Sequence, residues 1–217
     1  MHRSERSCYL SWVTKGDDTR REILGHALAL ASEVGLEGLS IGLLAARAHM
    51  SKSGLFAHFS SKERLQLAVL EEASQRFVSQ VIAPALRAAR GRPRVEALFQ
   101  RWLRWGTEPD QLPGGCIFYA ASSELDDRPG AARERLIASQ RDLSETLAQA
   151  ARIAKSEGHF RRDLDESQLA FEVFGIMYTC NLHQRLLGDA KAKARAERAF
   201  ARLVEDAAAP HAAHAKN

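Results

Sequence analysis

The sequence predicts an all-α protein of about nine helices, on three observations. Apolar residues recur at helical spacing with no period-two alternation, capping patterns precede the apolar runs, and Gly or Pro follows them. Residues 1–17 lack periodicity and read as a flexible basic arm. Thr19-Arg20-Arg21-Glu22 has the form of a capping box, and Ile23, Leu24, Ala27, Leu28, Ala31 and Val34 make one helical stripe that Gly35 and Gly38 end. Ser40 is placed to cap a short helix to Arg47, Ala48-His49-Met50 is a tight connection, and Ser51 is placed to cap another short helix, Lys52 to about His58. Ser60-Ser61-Lys62-Glu63 then opens a helical stretch to about Arg90 that Pro84 can kink. Gly91-Arg92-Pro93 restarts the chain into a helix carrying Val95, Leu98, Phe99, Trp102, Leu103 and Trp105. Residues 106–116, rich in Gly and Pro, read as a loop. A short apolar element from Cys116 to about Ser122 leads to a break at Asp126-Asp127-Arg128-Pro129-Gly130. Helices follow over about 131–157, 165–187 and 190–208, with a frayed tail from Pro210.

The chain has 217 residues, 45% hydrophobic and 27% charged, enough to bury a core without disulfides or metals. Three cysteines, Cys8, Cys116 and Cys180, without CxxC spacing argue against a disulfide framework or zinc site and fit a reducing compartment. No run approaches a membrane span and the N-terminus lacks a secretory apolar core, so a cytoplasmic protein is expected. The net charge of +4 suits a polyanionic partner without singling one out. There is no GxSxG, HExxH or Gly-rich phosphate loop, and the eight histidines form no metal set. His211 and His214 fall in the frayed tail, and Glu124, Asp126 and Asp127 fit helix and turn ends better than paired-carboxylate chemistry. Neither an enzyme nor a cofactor is expected.

Three short helices with a three-residue turn between the second and third fit the helix-turn-helix plan, although a bundle that merely packs has the same spacing. The residues separate the two. Leu39-Ser40-Ile41-Gly42-Leu43-Leu44-Ala45-Ala46-Arg47-Ala48 followed by His49-Met50-Ser51-Lys52-Ser53-Gly54-Leu55-Phe56-Ala57-His58-Phe59-Ser60-Ser61-Lys62-Glu63-Arg64-Leu65 resembles the DNA-binding signature of the tetracycline-repressor (TetR) family, without gaps. The resemblance implies a ligand-responsive transcription regulator, usually a repressor. It implies binding to a palindromic operator in double-stranded DNA as a homodimer, and release by a small-molecule effector. It places Ser51, Lys52 and Ser53 at the start of the recognition helix, Phe56 and His58 further along it, and Ser40 and Lys62 at phosphate-facing helix starts. Three positions depart from the pattern: His49 and Ser53 stand where Gly is common, and Phe56 where Tyr is common. Phe56 is therefore either a contact or packing. Leu43, Leu44, Leu55 and Phe59 read as core, while Arg20 and Arg21 either reach the DNA backbone or sit at a solvated helix start. The expected division is an arm over 1–17, a DNA-binding domain over 18–62, a ligand-binding and dimerisation domain over 63–208, and a flexible tail over 209–217.

Pro113-Gly114-Gly115-Cys116-Ile117-Phe118 and Leu125-Asp126-Asp127-Arg128-Pro129-Gly130 look like segments of one branch of the family, which carries a small-molecule pocket in the body. Trp102, Trp105, Cys116, Phe118, Tyr119, Phe174 and Tyr178 either line such a pocket, suiting an apolar or aromatic effector, or fill a helical core. Cys116 reads as a buried thiol rather than a redox sensor, with no resolving cysteine nearby in sequence. The helix around 165–187 is apolar nearly all round, and the final one carries Ala192, Ala196, Ala199, Phe200 and Leu203 on a stripe. With Phe171 and Tyr178, these residues form either a dimer interface or core within one chain.

Overall fold

Each predicted apolar stripe is a helix in the computed structural model, which describes residues 15–108 and 112–209. Nine helices and no strand occur among the described residues. Most of the expected arm lies outside them, but its last residues already belong to α1 (Lys15–Gly38), so helix starts a turn before Thr19. A break inside α1 falls at Gly35, whose backbone is left-handed at φ 77°.

α2 (Ile41–Ala48) and α3 (Lys52–His58) begin where Ser40 and Ser51 turn their hydroxyl oxygens onto the amides of Leu43 and Gly54. Leu28, Leu36, Leu39, Leu44, Leu55 and Phe59 are buried, each contributing on the order of 2 kcal/mol from apolar area removed from water. Arg47 of α2 grips Glu33 of α1 through both guanidinium nitrogens, at 2.9 and 2.8 Å. Leu43, expected in this core, is 49% exposed: the face of α2 against α1 and α3 is filled by Leu44 and Ala45.

α4 (Lys62–Phe77) is capped by Ser61 rather than Ser60. Its helical backbone continues through a π turn (Val78–Ile82) and a short segment, Ala83–Ala85. Pro84 explains the change of register. It has no N–H to donate, and a preceding wide turn closed by the Ala83 amide on the Val78 carbonyl carries the chain past it. The body is completed by α5 (Arg92–Thr107), α6 (Ile117–Leu125), α7 (Ala131–Ser156), α8 (Glu166–Arg185) and α9 (Ala192–Ala207). α4 and α7 run side by side in the same direction: Ser74 meets Ser139 at 3.0 Å, and Glu63 reaches the start of α7 at Gly130. A single antiparallel bridge joins Phe160 to Ala208, pinning the end of α9 to the α7–α8 connection.

Aromatic rings organise the body core. Phe77 presents edges to Trp102, Trp105 and Phe118 at centroid distances of 5.6–6.3 Å. Phe99 and Phe200 lie face to face, 3.8 Å apart and 4° from parallel. Ring quadrupoles disfavour that arrangement, so burial of both rings holds it. Phe200 is thereby committed to its own chain's core, which corrects its assignment to a dimer interface. Phe200→Ala is expected to lower unfolding stability by about 3–5 kcal/mol, read by denaturant titration. A loss below about 1 kcal/mol would show the ring to be peripheral.

Candidate functional site

The head offers one exposed helix. Along α3, Ser51, Lys52, Ser53 and Phe56 face solvent, Phe56 at 53% exposure, while Leu55 and Phe59 anchor the opposite side. Ser51 Oγ accepts from the Gly54 amide and lies 3.2 Å from Ser53 Oγ. Lys52 folds back over Gly42, bringing its ammonium and the Ser40 hydroxyl to the same glycine at the α2 N-terminus. Ser40 Oγ already accepts from Leu43, leaving its hydroxyl proton to offer outward. A cation, a hydroxyl and free amides thus converge where a phosphate oxygen could sit.

Two expected contacts are arranged differently. His58 is half-buried with its ring against Phe59, away from the most exposed line of α3. Lys62 donates to the Glu37 carbonyl at 2.6 Å and approaches its carboxylate at 3.3 Å, so in this state its charge caps the end of α1. Glu37 also receives Arg128 at 3.0 Å and Gln66 at 3.2 Å, and the Gln66 amide and these two cations hold its carboxyl below the usual carboxylate range. Arg20 neither reaches outward nor sits solvated: its guanidinium lies 5.0 Å over the Phe59 ring. His49 takes the left-handed conformation at φ 53°, as its glycine-like position requires, and its amide closes α2 on Ala45.

In the body, the seven candidate pocket residues do not share one cavity. Trp102, Trp105, Cys116, Phe118 and Tyr119 are buried in the aromatic core, Phe174 packs edge-on to Trp102 at 4.9 Å, and Tyr178 reaches the surface. Tyr178 donates to Ser122 at 2.9 Å. Only Phe118 of the seven lines the cavity of about 120 Å³ between α4 and α7. The other walls, among them Phe77, Val78, Ile82 and Leu143, escaped sequence reading; the one signal for them was Pro84, which foretold a disturbed helix. Burial pushes the Cys116 thiol up to about 11.

Of the stripe on the last two helices, Phe171 is 72% exposed, Ala199 is exposed and Leu203 is half-buried. Ala192 and Ala196 are buried at the floor of an open groove of about 690 Å³ between α8 and α9, which Phe171, Ala199 and Leu203 also line. Glu172, Asp206, Arg195 and Arg202 give its rim both signs of charge.

An all-helical chain with a capped helix-turn-helix head on a larger helical body has the architecture of a DNA-binding regulator. Residues 23–69 match the family model for bacterial regulatory proteins of the tetR family, and residues 91–200 match the tetracyclin repressor-like C-terminal domain. The chain belongs to the TetR family of transcription regulators, proteins that bind DNA through the N-terminal domain and carry a ligand-binding C-terminal domain rather than an enzyme's site. Among solved structures, a TetR regulator from Chloroflexus aurantiacus is similar at 25% identity and TM-score 0.78, covering 88% of this chain and 94% of that one. One from Cytophaga hutchinsonii is 18% identical at TM-score 0.80, covering 92% and 100%. AibR, solved with isovaleryl coenzyme A and operator DNA, is 23% identical at TM-score 0.68, covering 88% and 98%. No curated protein matches the sequence. No helix among the described residues is long and apolar enough to cross a membrane.

Two outcomes follow from this geometry. His49→Gly is expected to raise stability by up to about 1 kcal/mol, a Tm gain of about 2–4 °C, by removing a left-handed side-chain clash; an unchanged or lower Tm would mean the turn carries no such strain. At pH 8, about three units below its pKa, Cys116 is expected to resist iodoacetamide in the native protein and react after unfolding, read by peptide mass mapping. Rapid native alkylation would contradict its burial.

Proposed function

We propose that this chain is a homodimeric repressor that binds a palindromic operator and leaves it when a small apolar or aromatic effector occupies the body. The carrying observation is the exposed α3, with Ser51, Lys52, Ser53 and Phe56 outward and Ser40 beside Lys52 at the start of α2. α3 enters the major groove, its serines and Lys52 near base edges and phosphates, with Phe56 offering an apolar face to thymine methyls. His58 is a peripheral contact at the end of α3. Lys62 turns from Glu37 to a phosphate when DNA arrives, exchanging one carboxylate for another anion. The DNA-binding unit spans 18–62, and 63–208 forms the effector and dimer unit. Such a protein works in the cytoplasm, beside a bacterial chromosome.

Dimerisation is supported by the apolar surface left on α8 and α9: Phe171, Tyr178 and Leu182 are exposed along α8, and Leu186 just past its end at 75%. A second copy laid across the α8–α9 groove covers them as a four-helix interface, and the two-fold axis sets the heads about 34–36 Å apart, one DNA turn. Ala192, Ala196, Ala199 and Leu203 permit close approach there, and the mixed charges on the rim fix register.

Lys52→Ala is expected to weaken binding to the protein's own upstream DNA several-fold and to reduce the salt slope by about one, with Tm unchanged. Fluorescence anisotropy across a salt series reads both. Affinity indifferent to salt and sequence would overturn the DNA-binding role, and a large fall in Tm would make Lys52 structural. Phe171→Asp is expected to yield monomers in sedimentation velocity and to lose operator binding; a wild-type monomer at micromolar concentration would remove the dimer.

A further inference from the structure

The cavity between α4 and α7 has a chemistry of its own. Phe77, Val78, Ile82, Phe118 and Leu143 make its apolar walls, and two of these, Val78 and Ile82, belong to the π turn. Wide turns of this kind are found frequently at functional sites, because they displace side chains that a regular helix would pack. At about 120 Å³ the space is close to that of a cavity known to admit benzene. It suits one ring or a short branched chain.

Arg135 stands at the head-side end of this apolar chamber. Arg76, Arg92 and Arg94, which are half-buried like Arg135, each have a carboxylate or carbonyl partner. The Arg135 guanidinium has none among the described residues; Ser139 donates to the Arg135 backbone carbonyl at 3.0 Å and leaves the guanidinium untouched. Asp142, also on α7, lies about two turns further along, exposed at the other rim, and forms no ion pair with it. A half-buried guanidinium beside low-dielectric walls lacks both full hydration and a counter-ion, and its planar fork matches a carboxylate. The exposed Asp142 remains hydrated and exerts no comparable demand for a cation.

We propose that this cavity binds a small monocarboxylic acid, its apolar body among Phe77, Phe118 and Leu143 and its carboxylate on Arg135. The assignment rests on the effector reading above and names the effector's class. One wall of the seat, Ser74 and Phe77, belongs to α4, whose N-cap Ser61 and first residue Lys62 lie at the head, so that helix touches both the acid and the DNA-binding domain.

Titration calorimetry and thermal shift on the full-length protein test this with benzoate and hexanoate against benzamide and benzylamine. One or both acids are expected to bind, with the amide and amine at least about tenfold weaker. Arg135→Gln is expected to weaken the acid by at least about tenfold while leaving the unliganded Tm unchanged, and Arg135→Lys to recover part of the loss. No binding by either acid, equal binding of benzamide, or undiminished binding to Arg135→Gln would overturn the proposal. Operator affinity measured in the same samples separates the two readings. An acid that binds through Arg135 without altering operator affinity supports the site and sinks the effector role. Operator release by benzamide, unchanged in Arg135→Gln, keeps the effector role and overturns the acid.

Discussion

The placement of the head on the body depends on one close approach, where residues 32–37 of α1 meet the segment around α6. The Gly114 amide donates to Ser32 Oγ at 2.9 Å, and a Cβ on Gly114 would lie 1.6 Å from the Ser32 carbonyl oxygen. Further along α1, the Glu124 carboxylate accepts from the Glu37 amide at 3.0 Å and occupies the space a Gly35 side chain would need. The break at Gly35 therefore both turns the chain toward α2 and admits a body carboxylate. Glu37 then gathers Lys62, Gln66 and Arg128, so α1, α4 and the α6–α7 connection meet at one side chain. Because α2 and α3 follow directly from this junction, the aim of α3 is set by contacts that belong half to the body.

Local grammar made the head legible in sequence. Ser40 and Ser51 announce helix starts because a serine hydroxyl satisfies an otherwise unpaired amide. His49 is marked as a left-handed turn position by the family resemblance alone, since it stands where Gly is common. Leu43 was misjudged because periodicity identifies a stripe but not its width, and a short helix between two others buries only part of it. The partners of Glu37 and Glu124 could not be read at all: the contact between them spans 87 residues, that of Glu37 with Arg128 more, and the charges involved also make ordinary solvated surface.

The body was legible in its helices and only partly in its sites. An apolar run states that a helix will be covered, not by what, so Phe200 and Phe171 look alike in sequence although one stacks on Phe99 and the other lies open. Aromatic richness likewise does not state whether rings line a space or fill one. Trp102, Trp105 and Tyr119 fill space, whereas the cavity opens beside a backbone irregularity that sequence marks only through Pro84.

The parallel course of α4 and α7 has an electrostatic consequence. Antiparallel neighbours cancel their macrodipoles, but these two add, and both positive ends point toward the head. At Gly130 no side chain caps α7, so its first amides keep their partial charge. Carboxylates answer the two aligned half-charges: Glu63 and Glu134 stand in the first turns of α4 and α7, and Glu37 pairs with Lys62 and Arg128 beside them, so helix dipoles as well as ion pairs hold acidic side chains at the junction of head and body.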